Sequence, residues 1–255
     1  MKKRITSFYP AVLVMMVLSA GLLITSCNKD NNDNNNNSSA AGVMAFNLAP
    51  DGRSVGFVFN SRLINGAPLM FNNFTGAYLA VEPGPQTVGA VNFFGGGTLT
   101  SANYTFEEKK FYSVFLVGND PDYDQVIVRD NVESLASTTQ AFVRYINAIP
   151  DASSPMVTIS VNGVNVVNEA AAFKTVSGFT DINPVPGPVT ITVSNGGTIS
   201  ATRTITLEAK KIYTILLIGK PGGTADTAVQ IKYITNGTAD GSMGKIAGGS
   251  VVTLN

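Results

Sequence analysis

The strongest cluster of chemically capable side chains in this sequence is Asp120-Pro121-Asp122-Tyr123-Asp124. Carboxylates at alternate positions are the hard oxygen donors that suit calcium. A helix–loop–helix calcium loop wants glycine at its sixth position and glutamate at its twelfth, and Gln125 and Asn131 stand there instead. Asp120, Asp122 and Asp124 are therefore a calcium candidate whose alternative is a solvated acidic loop, and no other metal or cofactor is expected. A second candidate is Phe93-Phe94-Gly95-Gly96-Gly97. Its glycines do not open a helix, so it is no phosphate cradle. Two phenylalanines at a loop tip offer either a binding patch or packing over the end of a domain. The sequence has no histidine, which removes Ser-His-Asp and Cys-His catalysis and the usual zinc sites. Its acids are too scattered to nominate a pair for glycoside hydrolysis. No catalytic residue is assigned, and the chain reads as non-enzymatic.

The single cysteine, Cys27, can form no intramolecular disulfide. Its surroundings explain it better. Met1-Lys2-Lys3-Arg4 is a basic start, and Ala11 to Ile24 is an apolar run too short to cross a bilayer as a helix. It fits the core of a signal peptide over residues 1–26. Ile24-Thr25-Ser26-Cys27 then resembles the lipobox of bacterial lipoproteins. That resemblance implies cleavage before Cys27, lipidation of its thiol, and a membrane anchor in which each buried methylene contributes about 0.8 kcal/mol. Residues 27–42 follow as the lipidated cysteine and an Asn-rich tether with almost nothing to bury. Asn28 stands where an inner-membrane retention signal would place Asp. Lys29-Asp30, with Asp33 nearby, resembles the Lys-then-acid signal that exports some lipoproteins to the cell surface, its alternative being a solvated spacer. The expected location is the outer membrane, lipid-anchored, on the surface or the periplasmic face.

Cleavage removes three bases and no acid, leaving 14 basic and 17 acidic side chains. So mildly acidic a body has no basic footprint for nucleic acid. Glycine, asparagine, threonine and valine are plentiful, which suits strands joined by tight turns.

The elements that must position any site are written twice. Asn47-Leu48-Ala49-Pro50-Asp51 returns as Asn147-Ala148-Ile149-Pro150-Asp151, and Pro83-Gly84-Pro85 as Pro186-Gly187-Pro188. Glu107-Glu108-Lys109-Lys110-Phe111-Tyr112 returns as Glu208-Ala209-Lys210-Lys211-Ile212-Tyr213, each followed by an apolar strand. The offset grows from 100 to 105, as one fold with small loop insertions requires. Copy two predicts strands over 142–147, 156–161, 164–167, 189–194, 199–207, 212–218 and 229–235. Asn162-Gly163 is a two-residue hairpin signal, and Asn65-Gly66 takes a similar place in copy one. The strands 111–117 and 212–218 are apolar almost throughout, which places them in the middle of their sheets. Structural roles explain the repeated motifs: Pro-Asp as a turn, Glu-x-Lys-Lys as a polar loop, and Tyr112 and Tyr213 as tyrosine corners with the hydroxyl tied to backbone.

The series Asn-Ala-x-Pro-Asp, Val161-Asn162-Gly163, Pro-Gly and Leu207-Glu-x-x-Lys-x-Tyr-Thr214 resembles a domain-of-unknown-function family of exported bacterial proteins, many of them lipoproteins. The resemblance implies two tandem immunoglobulin-like antiparallel β-sandwiches and no catalytic residues. Copy one departs from it with Asn60-Ser61-Arg62 where Val-Asn-Gly would fall, which leaves its first hairpin open. The expected order is sandwich one at 43–132, a short polar linker at 133–140 that allows relative motion, sandwich two at 141–236, and a Gly-rich tail or edge strand at 237–255. The expected function is a binding or spacer module displayed at the outer membrane, with a glycan or protein ligand. The alternative is a structural subunit of a fimbria-like surface assembly, in which residues 250–254 complete a neighbour's sheet.

Overall fold

The computed structural model describes residues 40–239 except 52, 185 and 186. The expected signal peptide, Cys27, residues 28–39 of the expected tether, Pro186 of the second Pro-Gly-Pro and residues 250–254 lie outside the described residues, while Ala41 and Gly42, read as the end of the tether, belong to the first strand. What is described is all-β, without α-helix. The first copy holds β1 (Ala41–Asn47), β2 (Val55–Phe59), β3 (Arg62–Leu63), β4 (Asn73–Phe74), β5 (Leu79–Val81), β6 (Gly84–Asn92), β7 (Thr98–Phe106), β8 (Phe111–Asn119) and β9 (Asp122–Arg129). The second holds β10 (Ala141–Asn147), β11 (Met156–Val161), β12 (Val164–Ala170), β13 (Thr180–Ile182), β14 (Val189–Ser194), β15 (Ser200–Ile205), β16 (Lys211–Ile218) and β17 (Gln230–Thr238).

Each copy is a sandwich with one connectivity used twice. In the first, β3-β2-β6-β7 faces β4-β1-β8-β9, with β5 also paired to β1; in the second, β12-β11-β14-β15 faces β13-β10-β16-β17. The β-sandwich expectation holds, but the strand order is not that of the immunoglobulin constant domain, where the first two strands share a sheet. Here they lie in opposite sheets, and the first strand pairs in parallel with the penultimate one, β1 with β8 and β10 with β16.

The alternation of side chains on β14 shows why these segments become strands. Val189, Ile191 and Val193 are buried while Thr190, Thr192 and Ser194 face outward, the period-2 pattern of a sheet with one solvated face. Strands β8 and β16 break that pattern, since they are buried on both faces. Tyr112, Val114 and Leu116 enter the core of the first sandwich, whereas Phe115 and Val117 enter a third apolar cluster shared with Ile146, Leu216 and Ile218 of the second. The sheet β4-β1-β8-β9 thus packs on the sheet β13-β10-β16-β17, and the four sheets form a stack. A central position within the sheet explains only half of each apolar run; the neighbouring domain covers the other face.

The segment read as a linker is packed into that seam at its start. The joint after β9 turns through a 3-10 segment at Val132–Ser134, with Val132 fully buried beside Ile212 and Ala239. Ser137 N–H donates to Ala239 O at 2.9 Å, tying the joint to the end of β17. Glu133 takes Lys110 at 2.8 Å and Arg129 at 2.6 Å.

The repeated motifs do the same structural work in both copies. Asn47 and Asn147 are buried, and their amides donate to Leu69 O and Ala171 O at 2.9 and 2.8 Å. Each also accepts from the amide two residues on. Asp51 and Asp151 accept from the N–H of Arg53 and Ser153, the turn expected of Pro-Asp. Tyr112 and Tyr213 hydroxyls accept the N–H of Glu107 and Glu208 at 2.8 and 3.0 Å, as tyrosine corners. Lys109 and Lys210 sit at φ 59° and 64° in the Glu-x-Lys-Lys turns.

Two turns depart from the sequence reading. Asn60-Ser61, at φ 44° and 72°, closes the β2–β3 hairpin that Asn162-Gly163, at 50° and 79°, closes in copy two. Positive φ at both central residues is the mirror-type turn that follows strand twist. Asn65-Gly66 is therefore no hairpin turn. Asn65 is buried, and its amide accepts Phe57 N–H at 2.7 Å and donates to Val55 O at 3.1 Å. A side chain thus stands in for a strand partner along β2.

Candidate functional site

The largest buried polar group lies in the seam. Arg144, in the middle of β10, is 3% exposed, and Asp130, just past β9, is fully buried. The guanidinium Nη1 lies 2.7 Å from Asp130 Oδ1. Tyr78 and Ser113 hydroxyls donate to Oδ2 at 2.6 and 3.0 Å. Arg144 Nη2 donates to Ser113 Oγ at 2.8 Å and Nε to Thr214 Oγ1 at 3.0 Å, while Thr214 donates on to Asn236 Oδ1 at 2.7 Å. The Phe179 ring covers the guanidinium at 4.7 Å. Burial, and then the Asp130 charge, push the Tyr78 hydroxyl well above its ordinary value, so it remains a donor. The copies contribute equivalent positions, Ser113 and Asp130 facing Thr214 and Asn236. Met44 in β1 is the counterpart of Arg144, so only one arginine enters the cluster. Each Arg144 nitrogen lies close to an oxygen, Asp130 Oδ1 being reached by the ion pair without a hydrogen bond, and the arrangement bridges the two sheets.

The calcium candidates do not converge. Asp120 takes the Arg53 guanidinium at 2.8 Å, and Asp124 pairs with Lys174 of the second copy. Burial raises the Asp124 carboxyl, but the bonds from Lys174 and the Gln125 amide outweigh it and leave the net shift downward. Tyr123, between them, hydrogen-bonds Asp51. Strand alternation at the start of β9 sends Asp122 and Asp124 to the same face, Asp122 exposed and Asp124 half-buried and already paired with Lys174. Among the described residues no three His, Cys, Asp or Glu side chains group to hold a metal. At the β6–β7 turn Phe93 is half-buried, packing beside Gly56, while Phe94 is 79% exposed. One phenylalanine packs and one protrudes.

Sequence reasoning missed the concave surface of copy one. A groove of about 320 Å³ runs between β3 and β5, lined by Asn60, Arg62, Leu63, Glu82 and Gln86 among others. A second, of about 350 Å³, runs past Thr87, Asn103 and Tyr104 and shares Asn60 and Gln86 with the first. Gln86 is 7% exposed and donates through Nε2 to Glu82 O at 3.1 Å. The one available signal was the replacement of Val-Asn-Gly by Asn60-Ser61-Arg62.

No match was found among curated protein sequences. The family model described as Domain of unknown function (DUF4397) matches twice, over residues 41–154 and 141–246. The chain, as two fused sandwiches of one design, belongs to that family.

Proposed function

We propose that the chain is a non-enzymatic lipoprotein of the bacterial cell envelope, held at the outer membrane by lipid on Cys27, whose fused sandwiches act as one rigid binding or spacer module. The observation that carries the reading is the buried Arg144–Asp130 cluster. A seam that contains a desolvated ion pair resists sliding, because displacing one sheet along the other would leave a buried charge without its partner. Two domains fixed in this way present their loops and grooves at constant spacing, which suits display more than turnover. The basic start, short apolar run and Ile24-Thr25-Ser26-Cys27 support the anchor. The test is incorporation of a palmitate analogue by producing cells, followed by protease treatment of intact cells with a periplasmic marker as control. Label that disappears in Cys27→Ala supports the anchor, and equal labelling of that variant refutes it. Shaving from intact cells places the module outside, whereas protection until the outer membrane is breached places it in the periplasm.

A second reading, a subunit of a fimbria-like assembly, is favoured by β12. This edge strand is exposed along nearly all its length, with Val164 at 68% and Val166 at 38%. Long exposed apolar edges invite another strand. Oligomers that vanish when residues 250–255 are deleted would support it, and a monomer at high concentration would sink it.

A further inference from the structure

The two copies serve as each other's control, and at one end of the sandwich they differ. Register aligns Phe59 with Ile159, so β11 continues through Ser160 and Val161 before its turn, while β2 turns at once through Asn60-Ser61. In copy two the longer hairpin reaches the neighbouring strand end. Val161 pairs with the buried Val189, and Asn162 presses so closely on Gly187 that a Cβ there would sit 2.0 Å from its Oδ1. In copy one the equivalent Gly84 has nothing within 4 Å of such a Cβ. Gln86 and Asn103 replace Val189 and Thr204. The β2 arm of this hairpin is two residues shorter than the β11 arm, and its turn residue Asn60 lines both grooves.

We infer that this opening binds a neutral oligosaccharide, an inference that rests on the reading of the chain as a binding module. Its polar side chains are held in place before any ligand arrives. Asn60 Oδ1 accepts Thr87 N–H at 2.9 Å, and Asn103 Oδ1 accepts Thr87 Oγ1 at 2.9 Å. Their Nδ2 groups are thereby left as donors, while Gln86, bound through Nε2, keeps Oε1 as an acceptor. The Arg62 and Glu82 side chains, on the same groove, make no ion pair or side-chain hydrogen bond among the described residues. One cation and one anion sum to zero, so the lining favours neither a phosphate nor an amine. Donors and acceptors fixed side by side match vicinal hydroxyls, each of which gives and takes a hydrogen bond. Each groove falls at the lower end of the volume range of small-ligand sites.

The experiment is titration of the full chain in detergent with tetrasaccharides built from glucose, mannose, xylose or N-acetylglucosamine, with a sialylated oligosaccharide and an extended apolar peptide as controls. The expected result is saturable binding of at least one neutral probe with Kd below about 1 mM, lost at least about tenfold in Gln86→Val/Asn103→Thr. That variant carries copy two's residues, and its melting temperature checks its folding. Glu82→Gln, a change at an exposed side chain, is the second variant and weakens binding without touching the core. Failure of all four neutral probes, affinity unchanged in both variants, or binding of the peptide alone overturns the inference. Hydrolysis of a bound probe would overturn the non-enzymatic reading while leaving the groove as its site, so the two failures are distinguishable.

Discussion

Replacing Arg144 by methionine tests whether the seam is held as described. Methionine keeps an unbranched chain of similar reach and removes the guanidinium. Asp130 then stays buried with only the Tyr78 and Ser113 hydroxyls, and Ser113 and Thr214 each lose a donor. Removing one member of a buried pair costs about 3–5 kcal/mol, because the surviving charge is uncompensated. For a folded body of this size each kcal/mol moves the melting temperature by roughly 2–4 °C, so a fall of about 6–20 °C is expected. Scanning calorimetry is the assay. The native chain should melt in one transition, since both sandwiches share the seam, and Arg144→Met should split it. Adding Asp130→Asn to Arg144→Met removes the stranded charge and should restore a good part of the loss. A loss below about 1 kcal/mol, typical of an exposed pair, or a double variant worse than the sum of its parts, would refute the reasoning.

Tyr112→Phe and Tyr213→Phe each remove the acceptor for one backbone N–H. Urea denaturation should show both losing about 0.5–1.5 kcal/mol, with similar values because the geometry repeats. At Gly118, φ is 85° and a Cβ would meet Asp122 O at 2.2 Å, so Gly118→Ala should cost more than about 1 kcal/mol, read from the same denaturation curves. Glu133 is pushed up by burial, but hydrogen bonds from Lys110 and Arg129 outweigh this and lower its carboxyl to about 2. A depressed folded value stabilises fully above the unfolded value of about 4.3 and is lost as pH falls toward 2. The stability difference between the native chain and Glu133→Gln should shrink over that window, remaining under about 1 kcal/mol because the pair is solvent-screened. A constant difference from pH 6 to pH 2 would contradict it.

The second copy's strands were legible because their alternation is clean: 156–161 and 189–194 match β11 and β14 residue for residue. Short strands such as β13 escaped, since three residues carry too little period to register. The two-faced burial of β8 and β16 left a visible trace as unbroken apolar runs, but sequence does not say what covers the second face. Arg144 within Ala141–Asn147 was equally visible as a charge in an apolar strand. Its partner, Asp130, is fixed only when two distant sheets meet. Asn65-Gly66 misled because the dipeptide signals a turn through local propensity, whereas the buried amide of Asn65 is claimed by β2. The groove was hidden for a related reason. It lies beside a short hairpin, and residues that are missing announce no side chain.

The first strand has a mechanical consequence. All seven residues of β1 are buried, and it lies between β8, aligned in parallel from Gly42 to Asn47, and the antiparallel pair β5 and β4. A pull applied at Ala41 in line with β1 would act along the axis of that strand. Its ladder bonds cross that axis, so a tug loads both flanks together in shear and cannot unzip them one at a time. On the reading of Cys27 as an anchor, tension on the tether would enter the fold at a strand paired on both sides.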